Sequence, residues 1–187
     1  MKRVGVLALQ GAVREHVRML EALSCQTVLV KHKEQLEGLD GLILPGGEST
    51  TMRKLLDRYE LIGPIRSLAQ KGVPIFGTCA GLILLAKEVV DHDSHLAVMD
   101  VVVARNSYGR QVDSFEVNLN IQAIGEAIPA VFIRAPHIVS VGEGVEVLAE
   151  HDGKIVLARD GHLLGCSFHP ELTTDLRIVK YFVTTMV

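Results

Sequence analysis

The first half of the chain alternates short apolar runs with segments of helical periodicity, and this alternation restricts the fold more than any other feature. The run Arg3–Leu9, rich in Val and Leu, predicts a strand, and apolar residues then recur at helical spacing between Val13 and Leu20. Alternating strands and helices form parallel sheets with helices on both faces. The pattern continues with strands predicted at Thr27–Val30, Gly41–Gly47 and Val73–Gly77, and with helices predicted at Ser49–Leu61 and Ala80–Val90.

The second half of the chain is mostly strand-like. Asp-Gly pairs within His151–Lys154 and Arg159–His162 predict two hairpin turns. An apolar periodicity predicts a final helix within Thr173–Val187. The whole pattern predicts one α/β domain over residues 1–187, with a mostly parallel central sheet, helices on both faces and an antiparallel extension.

Composition narrows the classes of protein to which this chain can belong. Of its 187 residues, 48% are hydrophobic and 22% are charged, as is typical of a globular domain. The net charge of −3 provides no basic face for nucleic acid, and no apolar run reaches the roughly 18 residues of a membrane span. Cys25, Cys79 and Cys166 lie far apart without a C-x-x-C motif, which argues against a disulfide framework or a zinc site. A reducing, cytoplasmic setting fits these cysteines best.

Cys79 lies at the centre of the sequence Gly-Thr-Cys-Ala-Gly. This spacing is that of a nucleophile elbow, in which a sharp strand-to-helix turn exposes the nucleophile at the edge of a sheet. The N-terminus of the following helix favours a thiolate, and the N–H of Ala80 would face an oxyanion. The alternative is a buried core sulfur at the start of a helix, and this stretch alone leaves the two interpretations open.

The segment Ser167–Leu172 contains a candidate base and a candidate carboxylate, the two groups that activate a thiol nucleophile. A catalytic thiol needs a base that takes its proton and a carboxylate that orients the base. Pro170 favours an extended His169, and residues two apart in an extended chain lie on the same side. His169 and Glu171 are therefore predicted to lie side by side, with an ordinary surface turn as the alternative for this tripeptide.

A third segment, Leu44–Met52, contains Pro45 and the two glycines that end the strand predicted at Gly41–Gly47. It lacks the Lys of a Walker A sequence, which argues against a phosphate loop. The segment predicts a helix start with Ser49 or Thr50 as the N-cap, and its glycines allow the backbone to approach a ligand closely. The N–H of Gly47 is a candidate second oxyanion donor, and Glu48 and Ser49 are candidates to face a substrate.

Together, the segments Leu-Pro-Gly-Gly-Glu-Ser-Thr, Phe-Gly-Thr-Cys-Ala-Gly and Ser-Phe-His-Pro-Glu-Leu resemble the motifs of class I, triad-type glutamine amidotransferases. Over essentially its whole length the chain is similar to a narrower family, the glutaminase subunits of pyridoxal 5′-phosphate synthases. The stretches Gly5–His16, Arg105–Glu116 and Phe132–Ile138 support the narrower resemblance. It implies a flavodoxin-like three-layer sandwich that hydrolyses glutamine through a cysteine thioester, and these steps need no metal or organic cofactor.

The resemblance implies roles for individual residues. Cys79 would be the nucleophile, and His169 and Glu171 would complete a catalytic triad. Arg105 and Arg134 are among the implied substrate-binding residues, although the sequence alone favours a surface salt bridge for each of them. The residues that would bind glutamine are Gly47, Glu48, Ser49, Arg105, Ile133 and Arg134.

The same resemblance implies a partner. Free ammonia is quickly protonated in water, so a glutaminase of this kind needs a partner that receives ammonia directly. That partner would be a (β/α)8 synthase subunit that forms pyridoxal 5′-phosphate, glutaminase activity would depend on it, and Gln10 would lie in the contact surface. Alternatives are a glutaminase for another ammonia-dependent synthase, a cysteine-elbow protein such as a chaperone or peptidase, and a non-catalytic binding module.

Overall fold

In the computed structural model, which describes residues 1–108 and 113–187, strands and helices alternate along the first half of the chain and strands dominate the second. None of the described helices is both long enough and apolar enough to cross a membrane. The described α-helices are α1 (Val13–Ala22), α2 (Ser49–Arg58), α3 (Ile62–Gln70), α4 (Ala80–Leu85) and α5 (Arg177–Tyr181). The described strands are β1 (Arg3–Leu7), β2 (Gln26–Val30), β3 (Gly41–Leu44), β4 (Ile75–Thr78), β5 (Ala86–Val89), β6 (Met99–Ala104), β7 (Ser114–Ile121), β8 (Gly125–Ile133), β9 (His137–Val141), β10 (Val145–His151), β11 (Lys154–Asp160) and β12 (Leu163–Cys166).

Most of the strands form one large sheet in the order β2-β1-β3-β4-β12-β11-β9-β6-β5, and β10 also pairs with β11. The strands from β2 to β12 in this order run parallel to one another. β11 then pairs antiparallel with β12, β10 and β9. β7 and β8 form a separate antiparallel pair. The predicted α/β fold, with a mostly parallel central sheet and an antiparallel extension, is confirmed.

Helices cover both faces of the parallel strands. Side chains of β3 alternate between the faces: Leu42 and Leu44 pack in the core that contains α2, α3 and α4, whereas Ile43 packs in the core that contains α1 and α5. All three side chains are fully buried. Strands that are buried on both faces are continuously apolar, which makes such runs recognisable in the sequence. The layers form the flavodoxin-like sandwich that the resemblance implies.

The segment after the predicted nucleophile differs from the sequence prediction. α4 ends at Leu85, and Ala86–Val89 forms β5, which pairs in parallel with β6. The prediction of one continuous helix over Ala80–Val90 is wrong because pairing with β6 gives this backbone its hydrogen-bond partners. A local periodicity carries no information about that distant strand.

Two further helices differ from the sequence pattern. The periodicity does not predict α3 because Gly63 and Pro64 interrupt it, although proline is tolerated in the first turn of a helix, where its missing N–H needs no partner. The C-terminal helix is shorter than the predicted range Thr173–Val187. α5 begins at Arg177, and a π-helical turn over Phe182–Met186 follows it.

Both predicted hairpin turns are present, although the second contains Gly161 and His162, since Asp160 is the last residue of β11. Asp152 and Gly153 join β10 to β11, and both have positive φ angles, 49° and 72°. Two consecutive positive φ angles are the geometry of a type I′ turn, which matches the twist of the flanking strands. Gly161, with a φ of 58°, lies in the turn between β11 and β12.

Gly81 allows α4 to lie directly against β3. A Cβ on this residue would be 2.1 Å from the carbonyl oxygen of Leu44. We expect Gly81→Ala to lower the free energy of unfolding, measured by chemical denaturation, by about 3 kcal/mol, because the backbone of β3 cannot move aside. Gly144→Ala is the matched control, because a Cβ there meets nothing within 4 Å and its φ lies outside the left-handed region, so we expect its stability to differ little from that of the wild type. A Gly81→Ala protein as stable as this control would refute the close-packing argument.

Candidate active site

The carboxyl ends of four neighbouring parallel strands meet at one edge of the sheet. Gln10–Ala12 follow β1, Gly46 and Gly47 follow β3, Cys79 follows β4, and His169 follows β12. Open α/β sheets bind their ligands at such an edge. A cleft of about 550 Å³ opens there.

Most of the residues predicted from the sequence line this cleft. Glu171 and Gln10 are not among the lining residues, and they contact the site from behind His169 and the glycine pair, respectively. The cleft thus brings together residues from distant parts of the chain. The predicted residues that line it are Gly47, Glu48, Ser49, Cys79, Ala80, Arg105, Ile133, Arg134 and His169.

Cys79 lies in a strained turn between β4 and α4. Its φ of 51° and ψ of −103° fall outside the regions that residues with a side chain normally adopt. The Cys79 N–H donates to the carbonyl oxygen of Cys166 over 2.9 Å, and its own carbonyl accepts hydrogen bonds from Leu82 and Ile83. These bonds hold the strained turn, as a nucleophile elbow requires. The thiol lines the cleft although the residue is only 6% exposed.

The carboxylate predicted to orient the base lies beside it. His169 Nδ1 and Glu171 Oε1 are 2.6 Å apart, and both side chains are buried. His169, with a φ of −113° and a ψ of 85°, is not helical, but the chain does not continue extended through Glu171, because Pro170–Leu172 forms a 3₁₀-helix that begins with the proline. Proline suits that position since its fixed φ is helical and its missing N–H would have no partner there. A tight turn therefore brings the two side chains together.

Opposing effects determine the protonation of His169. Burial lowers the pKa of the imidazole, but interactions with the nearby Cys79 and the hydrogen-bonded Glu171 raise it by more, to about 10. The imidazole can thus hold a proton at the cleft that Cys79 also lines. Glu171 accepts the Nδ1–H and leaves Nε2 for exchange with the reacting groups. This arrangement suits a base that takes the thiol proton and later gives it to a leaving group.

The two candidate oxyanion donors, Ala80 and Gly47, line the cleft with Cys79. Ala80 is the first residue of α4, so the helix provides no acceptor for its N–H. A Cβ on Gly47 would lie 2.2 Å from Oε1 of Gln10. That oxygen accepts the N–H of Glu48 over 2.9 Å. Gln10 therefore supports the glycine loop from behind.

Glu48 is the N-cap of α2, in place of the predicted Ser49 or Thr50. Its carboxylate accepts hydrogen bonds from the N–H of Thr50 and from both the N–H and the hydroxyl of Thr51, at 3.1, 2.7 and 2.7 Å. The hydroxyl bond most strongly, and the backbone bonds in addition, lower the pKa of Glu48 to about 2. Arg105 Nη2 lies 3.7 Å from Glu48 Oε1. A carboxylate and a guanidinium thus lie together on the cleft wall.

The end of β8 adds a backbone carbonyl and an exposed cation. The carbonyl oxygen of Ile133 lies 3.9 Å from Cys79 Sγ. Arg134 follows with a φ of 44°, and its N–H donates to the carbonyl oxygen of Asp113 over 2.7 Å. Its side chain is 76% exposed, with Nε 3.9 Å from Asp113 Oδ1. Within the Arg105–Glu116 stretch that supports the narrower resemblance, residues 109–112 lie outside the described residues.

The sequence interpretation missed two residues of the site. A Cβ on Gly46 would lie 2.3 Å from Cε1 of His169, so this glycine makes room for the imidazole, and its carbonyl accepts the N–H of Ala12 over 2.9 Å. His16, on α1, is fully buried near Glu171. The glycine pair was a usable signal for Gly46. A polar residue at an apolar helical position was the signal for His16.

Comparison with known proteins extends over almost the whole chain. The model of the SNO glutamine amidotransferase family matches residues 6–187. The pyridoxal 5′-phosphate synthase subunit PdxT of Geobacillus kaustophilus is 61% identical, over 97% of this chain and 93% of that protein. The subunit of the same name from Geobacillus thermodenitrificans is 60% identical, over 97% of this chain and 93% of its own length. The one from Bacillus velezensis is 59% identical, over 98% and 94%.

Solved structures agree with the architecture described above. A crystal structure of a glutamine amidotransferase superposes with a TM-score of 0.92 at 49% identity, covering 97% of both chains. The structure of PurLQS from Thermotoga maritima has a TM-score of 0.75 at 18% identity, covering 100% of this chain and 99% of that one, a likeness that shows the fold alone. By its match to the family model and its identity to these relatives, the chain belongs to the SNO glutamine amidotransferase family.

Proposed function

We propose that this chain is the glutaminase subunit of a pyridoxal 5′-phosphate synthase, which hydrolyses L-glutamine to L-glutamate and ammonia. The observation that carries the proposal is the arrangement of Cys79, His169 and Glu171 at the cleft, with the imidazole bonded to the carboxylate at 2.6 Å. Membership of a glutamine amidotransferase family supports it. So does the name of relatives that are 59–61% identical over nearly their whole length.

The geometry suits hydrolysis through a thioester. The Cys79 thiolate attacks the side-chain carbonyl carbon of glutamine, and the N–H groups of Ala80 and Gly47 hold the oxyanion. The C–N bond breaks as His169 gives its proton to the leaving nitrogen, so that ammonia departs and a glutamyl thioester remains. His169 then takes a proton from water, whose oxygen cleaves the thioester and releases glutamate. Glu171 keeps the proton on Nδ1 of the imidazole throughout.

Charged groups on the cleft wall suit the two ends of free glutamine. Arg105 and Arg134 provide positive charge for the α-carboxylate, and Glu48 and backbone carbonyls provide acceptors for the ammonium group. Ile133 offers such a carbonyl next to the thiol. We therefore propose that glutamine contacts Gly47, Glu48, Ser49, Arg105, Ile133 and Arg134.

The ammonia released needs a partner that uses it before water protonates it. We propose a (β/α)8 synthase subunit that joins ammonia to a pentose phosphate and a triose phosphate, and whose docking is required for glutaminase activity. We propose that Gln10 lies in the surface that contacts this subunit, because its Oε1 accepts the N–H of Glu48 next to the glycine loop. The names of the relatives, which are synthase subunits, support a partner. We also propose that residues 1–187 form a single domain and that the protein is located in the cytoplasm. Its three cysteines are free and buried, as is typical of proteins in a reducing compartment.

A diazo-ketone analogue of glutamine tests the nucleophile directly. In the complex with the synthase subunit, we expect it to label Cys79, because the thiolate attacks the analogue as it attacks glutamine. Mass spectrometry of the digested protein locates the label, and excess glutamine should slow the reaction. Cys79→Ala should not be labelled.

The other cysteines are internal controls for this experiment. Burial raises the pKa of Cys25, and burial together with the nearby Glu171 raises that of Cys166 well above its usual value. Both thiols are therefore expected to stay protonated and unreactive. Labelling of Cys25 or Cys166 in place of Cys79 would be incompatible with the proposed function.

A further inference from the structure

His16 lies on the buried face of α1, beside Met19 and Leu20. None of its surface is exposed. Its Nε2 lies 3.1 Å from Thr78 Oγ1 and 3.6 Å from Glu171 Oε2. The face of a helix that packs on a sheet is normally apolar. The polar contacts of this ring are with Thr78, the last residue of the strand before Cys79, and with Glu171.

Glu171 has one oxygen engaged and one oxygen free. Oε1 accepts the hydrogen bond of His169 Nδ1 at 2.6 Å. Oε2 is buried and has no hydrogen-bond partner among residues 1–108 and 113–187. A buried carboxylate oxygen without a donor is costly, and the ring nitrogen that faces it is Nε2 of His16.

The surroundings of His16 determine which ring nitrogen carries a proton. Burial lowers its pKa by more than the charges of Glu171 and Glu15 raise it, and the charge of His169 lowers it further. The ring is therefore neutral and has a single N–H. A proton on Nε2 can be shared between Thr78 Oγ1 at 3.1 Å and Glu171 Oε2 at 3.6 Å. A proton on Nδ1 would have no acceptor among the described residues and would place the Nε2 lone pair beside the carboxylate. Electrostatics thus favours the Nε2–H tautomer.

We propose that His16 is a positioning residue whose Nε2–H holds Glu171 Oε2, so that Oε1 remains on His169. His16 is not among the residues that line the cleft, so it acts through the carboxylate and not on the substrate. At 3.6 Å the contact is electrostatic and longer than a hydrogen bond. Catalytic hydrogen bonds are often long in a resting site and shorten when the substrate is bound. The inference rests on the proposed glutaminase activity.

Three substitutions of His16 separate positioning from packing. His16→Phe keeps a ring but has no N–H, His16→Gln can place an amide N–H near the position of Nε2, and His16→Asn reaches only the position of Nδ1. In the complex with the synthase subunit, we expect His16→Phe to lower kcat by roughly 10- to 100-fold, because small displacements of a catalytic group are costly. The KM for glutamine should not change. His16→Gln should recover most of kcat, and His16→Asn should not.

Thermal unfolding of the same variants provides the control. His16→Phe should lower the unfolding temperature as well as kcat, because Glu171 Oε2 and Thr78 Oγ1 lose the N–H that faces them, and His16→Gln should recover both. A packing role predicts lower stability with an unchanged kcat, and that result would overturn the proposal. So would a His16→Gln protein as impaired as His16→Phe. If His16→Phe does not fold, equal kcat values for the Gln and Asn variants overturn it.

An NMR measurement gives a result that does not depend on activity. Long-range ¹⁵N–¹H spectra of histidine-labelled protein should show a neutral His16 with its proton on Nε2, assigned from the signals lost in His16→Gln. A proton on Nδ1 would overturn the positioning role even in an active enzyme. A wild-type complex without glutaminase activity would instead refute the proposed function, so the two failures can be distinguished.

Discussion

Cys79→Ala is expected to lower glutamate release from glutamine by about five orders of magnitude or more, the scale of losing a covalent nucleophile. Alanine cannot form the thioester, so both halves of the reaction are lost. The backbone at this position keeps a φ of 51° and a ψ of −103°. These angles strain Ala as much as Cys, so the fold should persist. The measurement is glutamate release by the complex with the synthase subunit.

Ammonia supplied from solution distinguishes a loss of glutamine hydrolysis from a loss of binding to the synthase subunit. With an ammonium salt as the nitrogen source, the complex that contains Cys79→Ala should form pyridoxal 5′-phosphate at the wild-type rate, because the synthase subunit is unchanged. Cys25→Ala is the matched control, since Cys25 lies in the core with α1 and away from the cleft. It should retain glutaminase activity. Glutamine hydrolysis by Cys79→Ala at a rate near that of the wild type would show that another group is the nucleophile.

Glu171→Gln is expected to lower kcat by about 10²- to 10⁴-fold, as the loss of the orienting carboxylate does in other triads. The amide can present an N–H to Nδ1 of His169, which favours the tautomer that cannot accept the thiol proton. It also removes a charge and an acceptor that raise the pKa of this imidazole, so the pKa should fall from about 10. Steady-state kinetics and an NMR titration of His169 measure the two effects.

The pH dependence of stability provides an independent check of this coupling. The folded pKa of His169, about 10, lies above its usual value of 6.5, so its contribution to stability is complete below pH 6.5 and is lost as the pH rises through about 10. The folded pKa is lower in Glu171→Gln. The difference between the unfolding free energies of the two proteins should therefore be largest below pH 6.5 and shrink toward pH 10. A difference that does not change with pH would argue against the coupling.

Elements with a local cause could be predicted from the sequence. The apolar run of β3 is continuous because both faces of the strand are buried, and the Asp-Gly turn at Asp152 follows from the positive φ angles that such a turn requires. β5 and α3 could not be predicted. Ala86–Val89 is a strand because it pairs with β6. Gly63 and Pro64 interrupt the apolar periodicity at the start of α3, a helix that is stabilised by packing in the core.

Some residues of the candidate site could likewise be predicted from the sequence, and others could not. The sequence by itself determined Cys79, His169 and Glu171 as candidates only, because a predicted sharp turn between two glycines and a carboxylate two residues from an imidazole are local patterns. Only the tertiary structure decided that Ile133 lies over the thiol and that His16 lies behind the carboxylate. Such contacts join segments that are far apart along the chain, and they depend on which strands are neighbours in the sheet. That order results from the packing of the whole domain, which no short-range periodicity encodes.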